Sequence, residues 1–185
     1  MKPLFTVHAG EFLVACHIEQ HFRNVRVWVP TKDKGIDLLV SNTGSTRTVS
    51  LQVKFSRDYS VTHMQRDPAL LAELRGSGWW NLKRRQIETS QADYWVFVLV
   101  GFANRSTDFI IIEPQRLLTR LDAIHPNAGQ NLHSYFCVTR ALQCYERRGL
   151  NRADEQRIAE QDFRNRERNF TRYLNNWRPI TRLNG

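Results

Sequence analysis

The sequence predicts an α/β (α+β) domain with one central mixed β-sheet flanked by helices and a long C-terminal helix. Three observations predict it. A segment with helical periodicity is followed by three strand-like segments, two of them joined by a short polar turn. Two later runs, Asp93–Phe102 and Asp108–Pro114, are largely apolar and of buried-strand type. The final stretch reads as a charged helix with a stripe of large apolar residues. With 185 residues, 41% hydrophobic and 11% aromatic, the chain can bury a core.

The elements follow in chain order. Thr6 to Phe22 reads as a helix, with Phe5, Phe12, Cys16 and Phe22 near one face, joined by Leu13, Ala15 and Ile18. In Asn24–Thr31, Val25, Val27 and Val29 alternate with Arg26, Trp28 and Pro30, a strand pattern that ends at the proline. Gly35–Asn42 and Thr48–Ser56 form a hairpin, with Gly44-Ser45 suited to a two-residue type II′ loop. Asp58 to Gly78 reads as irregular to helical, and a helix continues through Asn81–Thr89. After the two apolar strands, Gln115–Leu121 starts a helix, His125–Asn131 is a loop and Ser134–Thr139 is one more strand. The closing helix spans Arg152–Trp177, with Phe163, Phe170, Leu174 and Trp177 on its apolar stripe. We therefore expect a core domain over 1–150 and a helical extension over 151–185, packed on the core or on a partner.

Charge narrows the class of function. Lys+Arg is 27 against 18 for Asp+Glu, a formal charge of +9, which favours a polyanionic partner, with nucleic acid first and an anionic membrane surface second. Cys16, Cys137 and Cys144 are scattered without a Cys-x-x-Cys pair, which argues against a disulfide framework or a zinc ribbon. The start, MKPLFTVHAGEF, lacks the apolar stretch of a signal peptide. The run Trp95–Ala103 is far shorter than the roughly 20 residues that cross a bilayer. These features predict a soluble, cytoplasmic protein that does not enter a membrane. No glycine-rich phosphate loop, nucleophile elbow or dinucleotide fingerprint is present.

The hairpin carries the chemistry. With Gly44 and Ser45 as the loop, Asp37 faces Gln52, and Lys54 lies two residues on, on the same side of the sheet. On the opposite side fall Ile36, Leu38 and Val40 from one strand and Val49, Leu51, Val53 and Phe55 from the other, all apolar. A one-residue slip would put Asp37 among those core side chains, so the pattern opposes the slip. An acid, an amide and an amine thus share one face. Carboxylate, amide and backbone oxygens suit Mg²⁺, with the Val53 carbonyl between Gln52 and Lys54 as a further ligand. A nearby ammonium can orient water and offset charge at a phosphodiester.

The order Glu11, then Gly35-Ile36-Asp37, then Gln52-Val53-Lys54 resembles the PD-(D/E)XK nuclease superfamily. That group includes many restriction enzymes, Holliday-junction resolvases and Mrr-type nucleases. The resemblance implies a restriction-endonuclease-like core, with Asp37 as metal-binding aspartate, Gln52 at the (D/E) position, Lys54 as the lysine and Glu11 as an auxiliary acid of the first helix. Ile36 stands where the motif has proline. Gln52 replaces a carboxylate and removes one negative charge, although a Gln-x-Lys version is similar to the Mrr-type pattern. The expected cofactor is Mg²⁺ (or Mn²⁺), with Asp37, Gln52 and Val53 as ligands. The expected partner is DNA, and cutting both strands of a duplex takes two active sites, so a homodimer is expected from mechanism.

Lys32, Lys34, Arg57, Tyr59, Arg66, Lys83, Arg84 and Arg85 are the expected nucleic-acid contacts, since they flank the hairpin or the Trp79-Trp80 pair. His17 and His21, at i and i+4, have a spacing that can bind zinc but lack the His-Glu-x-x-His order of a zincin, and exposed helix residues are the simpler account. Three readings remain open: a metal-dependent DNA endonuclease, in restriction and defence or in repair and recombination; a catalytically inactive DNA-binding protein of nuclease fold; and a basic interaction protein.

Overall fold

The computed structural model describes residues 4–31, 35–58 and 68–184. Helix α1 (Leu4–His21) leads into strands β1 (Val25–Trp28), β2 (Leu38–Asn42) and β3 (Thr48–Ser56). Helix α2 (Pro68–Glu73), strand β4 (Leu74–Lys83) and helix α3 (Arg84–Glu88) follow. Strands β5 (Tyr94–Gly101) and β6 (Ser106–Ile112), helix α4 (Pro114–Ile124) and strands β7 (Asn131–Thr139) and β8 (Cys144–Glu146) come next. The chain ends with helices α5 (Arg152–Ala159) and α6 (Arg178–Thr181) and two 3-10 turns, Thr171–Tyr173 and Arg182–Asn184.

The domain is α/β. Its central sheet is mixed, in the order β1-β2-β3-β5-β6, with β3 and β5 parallel and the other neighbours antiparallel. Helices flank it, and no described helix is long and apolar enough to cross a membrane. One face of the sheet packs Leu38, Val40, Leu51, Val53, Val96 and Val98 against Val14 and Ile18 of α1 and Trp177, Ile180 and Leu183 of the C-terminal stretch. Gly10 lets α1 approach this closely, because a Cβ there would sit 2.7 Å from the Phe55 Cβ. Phe12, expected on the buried face of this helix, is instead 68% exposed.

The other face is covered by a second sheet, antiparallel in the order β4-β7-β8, where the sequence suggested a single sheet. Trp80, Leu82, Leu132 and Phe136 of this sheet meet Trp95, Phe97, Ile110 and Ile112 of the first, with Leu117, Leu118 and Leu121 of α4 closing the side. The Asn81–Thr89 segment, expected as a helix, therefore divides: its first residues complete β4 and only Arg84–Glu88 is helical. Gly76 and Gly78 hide β4 from propensity, since glycine is depleted in strands. The two sheets meet at Gly101, where a Cβ would lie 1.9 Å from the Arg75 carbonyl oxygen. Arg75 also donates to buried Asp108 (2.7 Å), tying β4 to β6.

The long C-terminal helix is absent. Helix α5 stops at Ala159, and Gln161 takes a left-handed φ of 60°. Beyond it the Asn165 and Asn169 side chains accept from the Arg168 and Thr171 amides, so local turns replace helical bonds. The apolar stripe is spread over three cores: Phe163 joins Leu70 and Tyr145, Phe170 joins Phe136, and Trp177 joins the α1 side. Each large residue anchors a separate pass of an irregular wrap.

Gly101→Ala tests the junction of the sheets. Its methyl group meets backbone, which no rotamer change relieves, so chemical denaturation should show a loss of about 3 kcal/mol, the upper end of overpacking. An unchanged midpoint would contradict the close approach.

Candidate functional site

The hairpin has the register read from its sequence. Leu38 pairs with Leu51 and Val40 with Val49, and their side chains lie under α1 with Val53. Ile36 differs: it lies ahead of β2 and packs with the core on the other face. The turn differs too. Ser45, with φ 53°, takes the left-handed position, and the Asn42 carboxamide closes the loop by accepting from the amides of Thr46 (2.9 Å) and Arg47 (3.2 Å). Four loop residues replace two without shifting the strands, because the apolar face sets their alignment.

Asp37 sits just before β2. Its amide donates to the Leu51 carbonyl (2.9 Å), and its Oδ2 accepts from the Val53 amide (2.6 Å). Backbone and side chain of Asp37 thus clamp β3 on either side of Gln52. In a strand, the N–H and C=O of one residue point to the same side. The Val53 carbonyl therefore points to the Asp37 side, while Gln52 pairs with Trp95 on the β5 side.

A second clamp fixes β3 against β5. The Asp93 Oδ2 accepts from the Ser50 amide (2.8 Å) and hydroxyl (2.7 Å), and the Ser50 Oγ accepts from the Asp93 amide (3.0 Å). This sets the parallel register that aligns Gln52 with Trp95 and Lys54 with Phe97. The Lys54 Nζ lies 4.9 Å from the centre of the Trp95 ring, a cation–π distance. Gln52 and Lys54 are both half-buried, so the polar face of the hairpin abuts an aromatic core instead of lying open to water. At the end of β3 the Ser56 Oγ accepts from the Trp79 amide (2.9 Å), which joins the second sheet to this strand.

Glu11 stands on α1, whose Gly10 packs on Val53 and Phe55, and its Oε2 lies 3.1 Å from the His8 Nδ1. The structure brings Asp37, Gln52, Val53 and Lys54 to one strand junction. Among the described residues no three His, Cys, Asp or Glu side chains form a metal-binding group. A cation at the hairpin would rest on one carboxylate, one amide and one backbone carbonyl. These are hard oxygen donors of the type Mg²⁺ and Mn²⁺ accept, with a single negative charge among them.

Of the expected nucleic-acid contacts, Arg57, Lys83 and Arg85 are exposed. Arg84 is spent internally, since its guanidinium holds both Asp122 oxygens at 2.6 and 3.0 Å. Lys32, Lys34, Tyr59 and Arg66 lie outside the described residues. Trp80 is core, whereas Trp79 is half-buried and stacks on His133 at 5.7 Å. The His17 and His21 rings stack at 4.2 Å, and His17 also contacts Phe109 and Trp177. Burial, then the neighbouring His21, lowers the pKa of His17, which suits a neutral ring packed under the C-terminal stretch. Trp95 was not recognisable as part of the site, because a parallel pairing across more than 30 residues leaves no local signal.

No protein-family model, curated protein or solved structure matches the chain.

The clamp has a measurable consequence. Asp37→Ala leaves the Val53 amide without its acceptor and should lower unfolding free energy by about 1–3 kcal/mol, while Asp37→Asn, which keeps an oxygen there, recovers most of it. Equal stability of Asp37→Ala and the parent in a denaturant titration would refute the structural role.

Proposed function

We propose that this protein is a metal-dependent DNA endonuclease that hydrolyses phosphodiester bonds at the Asp37 hairpin. The observation that carries the reading is the junction of Asp37 with Val53. It sets a carboxylate against the Val53 backbone, whose carbonyl points to the Asp37 side, with the Gln52 amide and the Lys54 amine on the adjoining positions of β3. Asp37, Gln52 and the Val53 carbonyl would hold Mg²⁺ or Mn²⁺. A cation bound there supplies charge neutralisation at the phosphate and acidifies water. Lys54, held beside Trp95, orients the attacking water and offsets charge as one P–O ester bond breaks and water adds to phosphorus. The net charge of +9 supports a polyanionic substrate.

By analogy with the superfamily that the Gln-x-Lys hairpin resembles, the role is restriction and defence, or repair and recombination. A homodimer would supply the second site for duplex cutting. The free state of Cys16, Cys137 and Cys144 agrees with a reducing, cytoplasmic setting. One observation favours a second reading, a DNA-binding protein of nuclease fold without activity: Gln52 leaves Asp37 as the only carboxylate among the proposed ligands.

Cleavage assays separate the two. Supercoiled, linear, branched and methylated DNA, incubated with Mg²⁺ or Mn²⁺, should be cut by the parent protein. The rate should fall roughly hundredfold or more in Asp37→Ala and in Lys54→Ala. Binding without cutting on every substrate selects the second reading, and cutting that survives both substitutions removes the hairpin from the chemistry.

A further inference from the structure

We infer that the cleft between α4, β8 and the C-terminal wrap binds the phosphodiester backbone of a nucleic acid, apart from the hairpin. The cleft has a volume of about 510 Å³, and its lining includes Arg120, Arg164, Arg166 and Arg172 and no carboxylate. Gln143, Asn165 and Asn169 add neutral amides. The aromatic residues in the wall, Tyr145 and Phe163, are buried, so the surface offered is guanidinium and amide.

The cleft is built rather than incidental. The Arg120 Nη2 donates to the carbonyl oxygens of Arg166 (2.6 Å), Glu167 (2.8 Å) and Asn169 (2.6 Å), and its guanidinium lies 4.7 Å from the Phe170 ring centre. That pins the turn which presents Arg166. Arg168, two residues on, turns inward to the buried Glu146 (2.9 Å). Arg166 and Arg172 have no ion-pair partner among the described residues. The Arg164 pair with Asp162 is 81% and 71% exposed, too open to neutralise the cleft. From residue 163 onward the chain carries six arginines and one carboxylate, Glu167. Gathering like charges costs stability through mutual repulsion, and no ion pair among the described residues offsets the Arg166 side chain.

Arg172 also lines a neighbouring cleft of about 280 Å³ with Arg178 and Arg182, where Arg116 is paired with Glu113. The two clefts share Arg172, so arginines extend past the first cleft to Arg178 and Arg182, which fits a linear polyanion better than a single small phosphate. Arginine matches phosphate oxygens in bidentate geometry. A membrane surface would also call for apolar side chains presented beside the charges, which the buried Tyr145 and Phe163 do not supply. The Arg166 cleft stands against α4 and β8, away from Asp37, Gln52 and Lys54, while the neighbouring cleft reaches Tyr94 of β5 and Arg182, whose carbonyl accepts from Arg47 of the hairpin turn (3.3 Å).

Fluorescence anisotropy of labelled duplex and single-stranded DNA of equal length, titrated with the full chain in EDTA across a salt series, tests this. Arg166→Ala/Arg172→Ala should weaken binding roughly tenfold and make the slope of log K against log salt shallower by about 2. The charge-matched pair Arg23→Ala/Arg26→Ala, at the β1 edge, should change both less, and Arg166→Lys/Arg172→Lys should restore most of the slope. Equal losses in the two alanine pairs, an unchanged slope, or binding to phosphatidylserine vesicles without binding to DNA would each overturn the assignment. Metal is absent throughout, so failure here leaves cleavage at the hairpin untouched, and failure of cleavage leaves this binding to be read by itself.

Discussion

Burial of Leu38, Val40, Leu51 and Val53 under α1 holds β2 and β3 in one register. A shift by a single residue would reverse every side chain of the strand, placing Gln52 and Lys54 in the α1 core and Val53 on the polar side. Everything proposed for the site depends on this alternation. Asp37 then adds a local lock, because its carboxylate takes the place of a strand carbonyl as acceptor for the Val53 amide. The same side chain that would hold a cation is also part of the backbone ladder. The proposed chemistry would be coupled to stability at this residue, so its substitution is expected to register in both.

The parallel pairing of β3 with β5 changes the nature of the site. A hairpin alone would present Asp37, Gln52 and Lys54 to water, where an amine and a carboxylate interact weakly. With Trp95 beneath Lys54 and the second sheet against the same face, the trio stands at the margin of an aromatic core. Partial removal of water strengthens charge interactions there, which would favour the proposed electrostatic stabilisation of a reacting phosphate. It also raises the importance of Gln52, since one fewer carboxylate lowers both the desolvation cost and the attraction for a cation.

The legible parts of the fold were those fixed by local alternation: α1, the register of β2 with β3, the apolar strands β5 and β6, and the polar face of the hairpin. The illegible parts were set by tertiary contacts. β4 contains two glycines, and its sequence reads as irregular to helical, yet the sheet needs them for close packing beside Trp80 and Gly101. Phe163, Phe170 and Trp177 recur at a spacing of seven, which mimics a helical stripe, but they anchor three different cores. Trp95 entered the site through a pairing distant in sequence, held by the Ser50–Asp93 bonds. The Asn42 side chain substituted for a type II′ turn because its oxygen can cap two amides at once.

The central claim is that Asp37, with the Val53 carbonyl and Gln52, forms a divalent-cation site. Calorimetric titration of the protein with Mn²⁺, without nucleic acid, tests it most directly. The account predicts a binding heat that disappears in Asp37→Ala and an affinity that rises in Gln52→Glu, which restores the missing charge. Mn²⁺ binding that is unchanged by both substitutions would contradict it.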